Sequence, residues 1–192
     1  MDDFAALARL LEALRPWLRH LVIVGGWAHR LHRFHPLANP PAYLSLRTRD
    51  ADLAFSPTAP TVGDMAAALR EAGFHQELSG EEAPPVTQYR LGVEDQDQGF
   101  YAEFLTPLRG SGAKRDGSPD ATASRAGVTV QKLRFVEILL VHPSHLELGP
   151  EVGVPLGTPT EVMVPNPVSF IAQKLLIQTQ RRPGKRPQDA LY

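Results

Sequence analysis

The chain has no cysteine, which excludes disulfide bridges and thiolate-held metal sites. It has no excess of charge of one sign. Twenty Lys and Arg stand against 21 Asp and Glu, and a net charge of -1 gives no global footprint for nucleic acid. Any such contact must therefore come from a local patch. Long hydrophobic runs are also missing. "LVIV" and "VEILLV" are the longest, and both are far too short to span a bilayer. The opening "MDDFAALARLLEALRPWLRH" has no basic n-region and is interrupted by charges, so it does not read as a signal peptide. The expectation is a soluble, cytoplasmic protein with no membrane partner. There is no internal repeat and no heptad array.

Present instead is an ordinary hydrophobic fraction of 43% in 192 residues, enough to fill one domain with a small appendage. The 18 prolines sit mostly in connections. Phe4, Leu7, Leu11, Leu14 and Leu18 recur at helical steps and predict an amphipathic helix over 3–19, its last turn disturbed by Pro16. "LVIV" is a short strand closed by Gly25 and Gly26, and "WAHRLHRFH" resumes a helix. "DADLAF" reads as a strand, and "TVGDMAAALREAGF" as a second amphipathic helix. "TQYRLGV" and "FYAEFLTPL" suggest a hairpin. "GSGAKRDGSPDATASRAG" reads as a flexible loop, and "RFVEILLV" as an apolar strand. Short β-type pieces follow in 142–165. Asn166 and Pro167 supply an N-cap and a first-turn proline for the helix "VSFIAQKLLIQTQ". This order predicts an α/β (α+β) fold, a mixed sheet flanked by helices.

One stretch, "TRDADLAF", puts Asp50 and Asp52 on a strand that otherwise reads as buried. Carboxylates are costly to bury unless they are paired or bound to metal. Strand alternation points both the same way, with Ala54, while Ala51, Leu53 and Phe55 point oppositely. Two carboxylates at this spacing can grip one Mg²⁺ or bridge two. "YAEFLTPL" offers Glu103 as a third, on the face opposite Phe104. Glu103 can equally form a salt bridge at a sheet edge. The Gly25–Gly26 turn lets a backbone approach a ligand, and the following helix N–H groups can hold a phosphate. It can also be only a tight turn.

On "VGGWAHRL", "TRDADLAF" and "YAEFLTPL" the chain resembles the nucleotidyltransferase superfamily related to DNA polymerase beta. The resemblance implies a mixed sheet flanked by helices and an enzyme moving NMP from an NTP, such as ATP, to an acceptor hydroxyl. Asp50 and Asp52 would be metal ligands, for two Mg²⁺ ions. Glu103 would be the third carboxylate, ligating metal or activating the hydroxyl. Gly25, Gly26 and Thr48 would lie on the nucleotide side. "PNPVSFIAQKLLIQTQRRPGKRPQDALY" is similar to the AbiEii-type branch, through Lys174, Arg181 or Arg182, Lys185 and Asp189. In that branch the basic residues are thought to meet nucleotide phosphates. The branch implies a toxin-like role with an antitoxin partner; for the transfer itself the acceptor would be a tRNA end, a protein side chain or a small molecule. Residues 1–165 would form the catalytic domain and 166–192 the start of a helical C-terminal segment. This chain departs from the family pattern in three ways: a long insert between Gly26 and Asp50, Gly-Gly for Gly-Ser, and Glu for the commoner Asp.

Two other function classes stay open from the sequence. A degenerate, non-catalytic nucleotide- or partner-binding module would bind nucleotide without turnover. A metal-dependent phosphohydrolase or nuclease also uses Asp-rich strands, but the expected His-rich ligand pairs are missing. His29, His32 and His35 have a spacing that can align zinc ligands. The reading preferred over zinc is a solvated basic helix face shared with Arg30 and Arg33. Lys174 can be an exposed helix lysine, and "RRPGKR" a solvated loop.

Overall fold

The computed structural model describes residues 2–42, 48–56, 59, 62–79, 85–92 and 99–178. The chain runs α1 (Asp3–Ala13), β1 (Leu21–Val24), α2 (Gly25–Leu31), β2 (Asp50–Phe55), α3 (Met65–Glu71) and β3 (Phe74–Ser79). It continues through β4 (Val86–Leu91), β5 (Phe100–Pro107), β6 (Thr122–Arg125), β7 (Val128–Leu133) and α4 (Val136–Leu139). It closes with β8 (Ser144–Leu148), β9 (Thr160–Val164) and α5 (Pro167–Ile177). The strands form one mixed sheet in the order β3-β4-β5-β2-β1-β9-β8, with the β6–β7 hairpin joined to the second half of β5. The α/β expectation of a mixed sheet flanked by helices holds.

Alternation decides which face of the sheet is dry. Leu21 and Ile23 of β1, Ala51, Leu53 and Phe55 of β2, and Ala102 and Phe104 of β5 all turn to one side. There Leu7, Leu10, Leu11 and Leu14 of the first helical stretch, with Met65 and Leu69 of α3, complete the main core. Each such large side chain contributes roughly 1.5–3 kcal/mol by leaving water. The opposite face is only partly covered. Val22, Val24, Ala54, Leu105 and Met163 meet Val136 and Leu139 of α4 in a small second cluster. The half-covered remainder of that face carries the acidic residues.

Several local expectations are corrected. The first helix ends at Ala13, and Arg15–His20 continues as a 3₁₀ segment with Pro16 in its first turn. Proline lacks the N–H that an α-helix interior needs, so the helix tightens there. The run "VEILLV" is not a strand: Val136–Leu139 makes a single helical turn. Phe135 at φ 65 turns the chain just before it, and Val136 and Leu139 fall three apart onto the sheet. Periodicity cannot separate a short apolar strand from a short apolar helix. Strands β3, β6 and β7 were not expected. In β7, Val128 and Val130 alternate with Thr129 and Gln131, a signal hidden by the Gly- and Ser-rich stretch before it.

The basic helix face is also corrected. Arg30 is not solvated, its side chain being only 11% exposed and paired with Asp3 at 3.1 Å. Its guanidinium lies over the rings of Phe4 and Trp27, at 4.3 and 4.7 Å from their centroids, and so ties α2 to α1. Among the described residues no helix is long and apolar enough to cross a membrane.

Tyr89 of β4 is fully buried, and its hydroxyl has no hydrogen-bond partner among the described residues. Burial, with help from Asp64 and against Arg70, pushes its phenol up to about 12. An orphaned buried hydroxyl is destabilising, so Tyr89→Phe should raise the unfolding free energy by about 1 kcal/mol in a urea titration. A fall of similar size would show that the hydroxyl is satisfied in solution.

Candidate functional site

The site is set by strand register. β1 runs antiparallel to β2 with Val24 opposite Asp52, and β2 runs parallel to β5 with Asp52 beside Glu103 and Asp50 beside Tyr101. Glu103 therefore comes to lie next to Asp52, on the face Asp50 and Asp52 share. Asp50, Asp52 and Glu103 line one cleft of about 370 Å³. Val24 and Gly25 form one wall. Leu105, Gln131, Leu133 and Arg134 extend the floor, and Phe170, Gln173, Lys174 and Ile177 of α5 close the far side.

Gly25 has φ +65, and a Cβ built there would collide with the Asp52 carboxylate. Glycine is needed here because the turn requires the left-handed region and because the carboxylate lies against it. Gly26 follows in α2 and is not among the residues lining the cleft. The Thr48 hydroxyl donates to Asp50 Oδ1. Gln88 Nε2 donates to Glu103 Oε1 at 2.6 Å. The field of the three carboxylates is felt at Tyr101. Burial first, then Asp50, Glu103 and Asp52, push its phenol up to about 12, with Arg90 opposing. Tyr101 is therefore a neutral donor at neutral pH.

By its donor chemistry the set suits a hard divalent cation, which takes carboxylate oxygens. Among the described residues, no three His, Cys, Asp or Glu side chains converge on one point. Asp50 is turned toward Thr48 and Glu103 toward Gln88. An ion would be held by the pairs Asp50–Asp52 and Asp52–Glu103, which adjoin on one face.

Lys174 lies on the cleft side of α5, its Nζ 5.4 Å from the Phe170 ring centroid. Phe170 stacks on His29 of α2 at 6.5 Å, so the two helices flanking the cleft are joined by a ring pair. The His29 imidazole is pushed below its usual range by burial first, then by His32, Arg33 and Lys174. His32 is lowered mainly by burial, against a hydrogen bond to the Pro165 backbone. Arg181, Lys185 and Asp189, together with Arg182, lie outside the described residues.

Gln131 and Arg134 were not found from the sequence, because residues 128–133 carry no assigned element there and Arg134 falls in the strand expected for "RFVEILLV". Arg134 donates from Nη2 to the Ser111 carbonyl at 3.1 Å and adds a cation to the cleft. It precedes Phe135, whose positive φ separates it from the α4 residues that pack on the sheet. The sequence reading also missed Gln88 and Arg90, which the polar alternation of β4 could have revealed.

A mixed sheet with two acidic strands side by side, entered by a strand–glycine–helix turn, is the architecture of a nucleotidyltransferase. The chain belongs to that family: the nucleotidyltransferase family profile matches residues 2–192. The protein is a nucleotidyltransferase enzyme. No curated protein and no solved structure matches it.

Two predictions follow from this geometry. Gly25→Ala should destabilise the fold by about 1–2 kcal/mol from the left-handed backbone alone. It should also displace Asp52, giving a larger loss in activity than in melting temperature; an active Gly25→Ala protein would remove the close approach from the account. The second concerns acid. His29 and His32 have folded pKa values below their unfolded values, so the unfolded chain takes up protons first as pH falls. The stability they contribute is present above about pH 6.5 and is lost as pH falls through that value toward the folded pKa. A His29→Gln/His32→Gln protein should have a flatter stability-versus-pH curve between about pH 5 and 7 than the wild type. Equal slopes in urea titrations would contradict this.

Proposed function

We propose that this enzyme transfers NMP from an NTP to an acceptor hydroxyl at the cleft bounded by Asp50, Asp52 and Glu103. The observation that carries this reading is the pairing of Asp52 with Glu103 on parallel strands, directly beside the Gly25 turn. Asp50, Asp52 and Glu103 would hold Mg²⁺, two ions in the fullest form. Bound metal would neutralise charge developing on the phosphates during an in-line displacement. Gly25 gives the triphosphate room to approach, and Lys174 and Arg134 supply positive charge on the opposite side of the cleft. The acceptor oxygen forms a bond to the α-phosphorus, and the bond from that phosphorus to the β-bridging oxygen breaks. Pyrophosphate leaves with the electron pair. Glu103 would either complete the metal site or take the hydroxyl proton.

Residues 1–165 would form the catalytic unit, and α5 would open a C-terminal helical segment that completes the nucleotide side. Arg181, Lys185 and Asp189 would add phosphate contacts there, by the AbiEii resemblance. That same resemblance is what supports a toxin-like role with an antitoxin partner, and RNA, protein or a small molecule as acceptor.

The test uses α-labelled ATP, GTP, CTP and UTP with Mg²⁺, total tRNA and cell extract. Label should move to an acceptor with wild type, and transfer should fall at least about 100-fold with Asp52→Asn, as expected when a group acting on the transition state is removed. Equal transfer by both proteins would refute the assignment. Release of free phosphate or nucleoside diphosphate instead of pyrophosphate would select a phosphohydrolase.

A further inference from the structure

The polar face does not end at the three carboxylates. It continues across β5, β4 and β3 in two rows. One row runs Asp50, Tyr101, Arg90, His75, and the other runs Asp52, Glu103, Gln88, Glu77. Within them is a chain of contacts that leads to Glu103. Gln88 Nε2 donates to Glu103 Oε1 at 2.6 Å, and Arg90 Nη2 donates to Gln88 Oε1 at 3.0 Å. Arg90 Nε lies 2.5 Å from Glu77 Oε2, and its guanidinium sits 5.2 Å from the Tyr101 ring centroid.

We propose that Gln88 and Arg90 are positioning residues for the acidic site, acting together to orient Glu103. This rests on the nucleotidyl-transfer reading given above. A glutamine amide is ambiguous, since it can present either its oxygen or its NH₂. Turned one way it would set an oxygen against the carboxylate. Arg90 removes the ambiguity. A guanidinium only donates, so it takes the amide oxygen and leaves the NH₂ facing Glu103. The Glu103 Oε1 side is thereby held by a donor that carries no charge, which leaves the carboxylate's negative charge and its second oxygen for a metal ion. An Arg or Lys in the place of Gln88 would form an ion pair and neutralise the site. Arg90 is kept one residue further out, clamped between Glu77 and Tyr101.

Exposure grades the chain. The Arg90 side chain is 24% exposed and that of Glu77 43%, so the outer ion pair is the more screened by solvent. The effect on the site therefore falls in the order Gln88, Arg90, Glu77. Partners that orient metal ligands typically change metal affinity by about 10–100-fold when removed.

The experiment uses the full chain and Mn²⁺ as probe, with free Mn²⁺ read by electron paramagnetic resonance. Steady-state kinetics on the NTP that wild type uses are run alongside. The variants are Gln88→Leu, Gln88→Met, Arg90→Met, Glu77→Gln and, as reference, Asp52→Asn. Gln88→Met keeps the length and volume of the residue, adds no charge and cannot donate, so it separates the lost hydrogen bond from packing. The expected result is Mn²⁺ binding weakened about 10-fold or more in both Gln88 variants, with a matching fall in kcat. KM for NTP should stay within about 3-fold, because Gln88 touches Glu103 and does not line the cleft. Arg90→Met should give an intermediate loss, and Glu77→Gln less than about 2-fold. Mn²⁺ affinity and kcat within about 2-fold of wild type in both Gln88 variants, with Asp52→Asn impaired, would overturn the positioning role alone. Unchanged Mn²⁺ affinity in Asp52→Asn as well would overturn the metal site itself and this inference with it.

Discussion

Asp52 and Glu103 lie side by side on parallel strands, and most features around the cleft are responses to that placement. Neighbouring strands are about 4.8 Å apart. Two like charges on adjacent strands repel each other. The surroundings reduce this without cancelling the charges. Thr48 and Gln88 donate neutral hydrogen bonds, and Gly25 gives the Asp52 carboxylate space that any side chain would fill. The cations, Lys174 and Arg134, line the same cleft on other elements. This partial compensation leaves a concentrated negative site on a half-covered face, which is the condition for recruiting a divalent cation together with a polyphosphate.

The two faces of the sheet divide the work. The dry face carries most of the buried side chains and fixes β1, β2 and β5 relative to one another through Leu, Phe and Trp packing. Because β2 and β5 are held from behind, their front-facing carboxylates keep their places without support from one another. The second cluster is small, and it is α4 that covers it, with Val136 and Leu139. Leaving this face half open makes room for the cleft. The helices beside it are pinned by contacts of their own. Arg30 ties α2 to α1, and the His29–Phe170 stack ties α2 to α5.

Much of the site was legible because it is written in strand alternation. Asp50 and Asp52 share a face by their spacing, and Glu103 falls opposite Phe104 by the same rule. What alternation cannot give is register across strands, so Glu103 was legible only as an offered third carboxylate, without its pairing to Asp52. Gln88 and Arg90 sit on the polar side of a strand whose existence was read correctly, but their meaning depends on pairing with β5. Elsewhere the local signal was ambiguous. "VEILLV" is as apolar as a buried strand, and only the left-handed Phe135 makes it a helical turn. β7 was hidden because its two valines follow a run of turn-forming residues. Arg30 was read as solvated since its sequence neighbours are basic. Its partners, Asp3 and Phe4, are remote in the chain.

The account depends most on metal and nucleotide meeting at the three carboxylates. The most direct measurement is calorimetric titration of the full chain with an NTP analogue that cannot be cleaved between the α and β phosphates. It is run with Mg²⁺ and again with chelator, for wild type and for Asp52→Asn. The account predicts tight binding by wild type with Mg²⁺, and weak binding both in chelator and in the variant. Equal affinity in all four titrations would mean that the nucleotide, if it binds, does not bind through Asp52 and a metal ion, and the site would have to be sought elsewhere on the sheet.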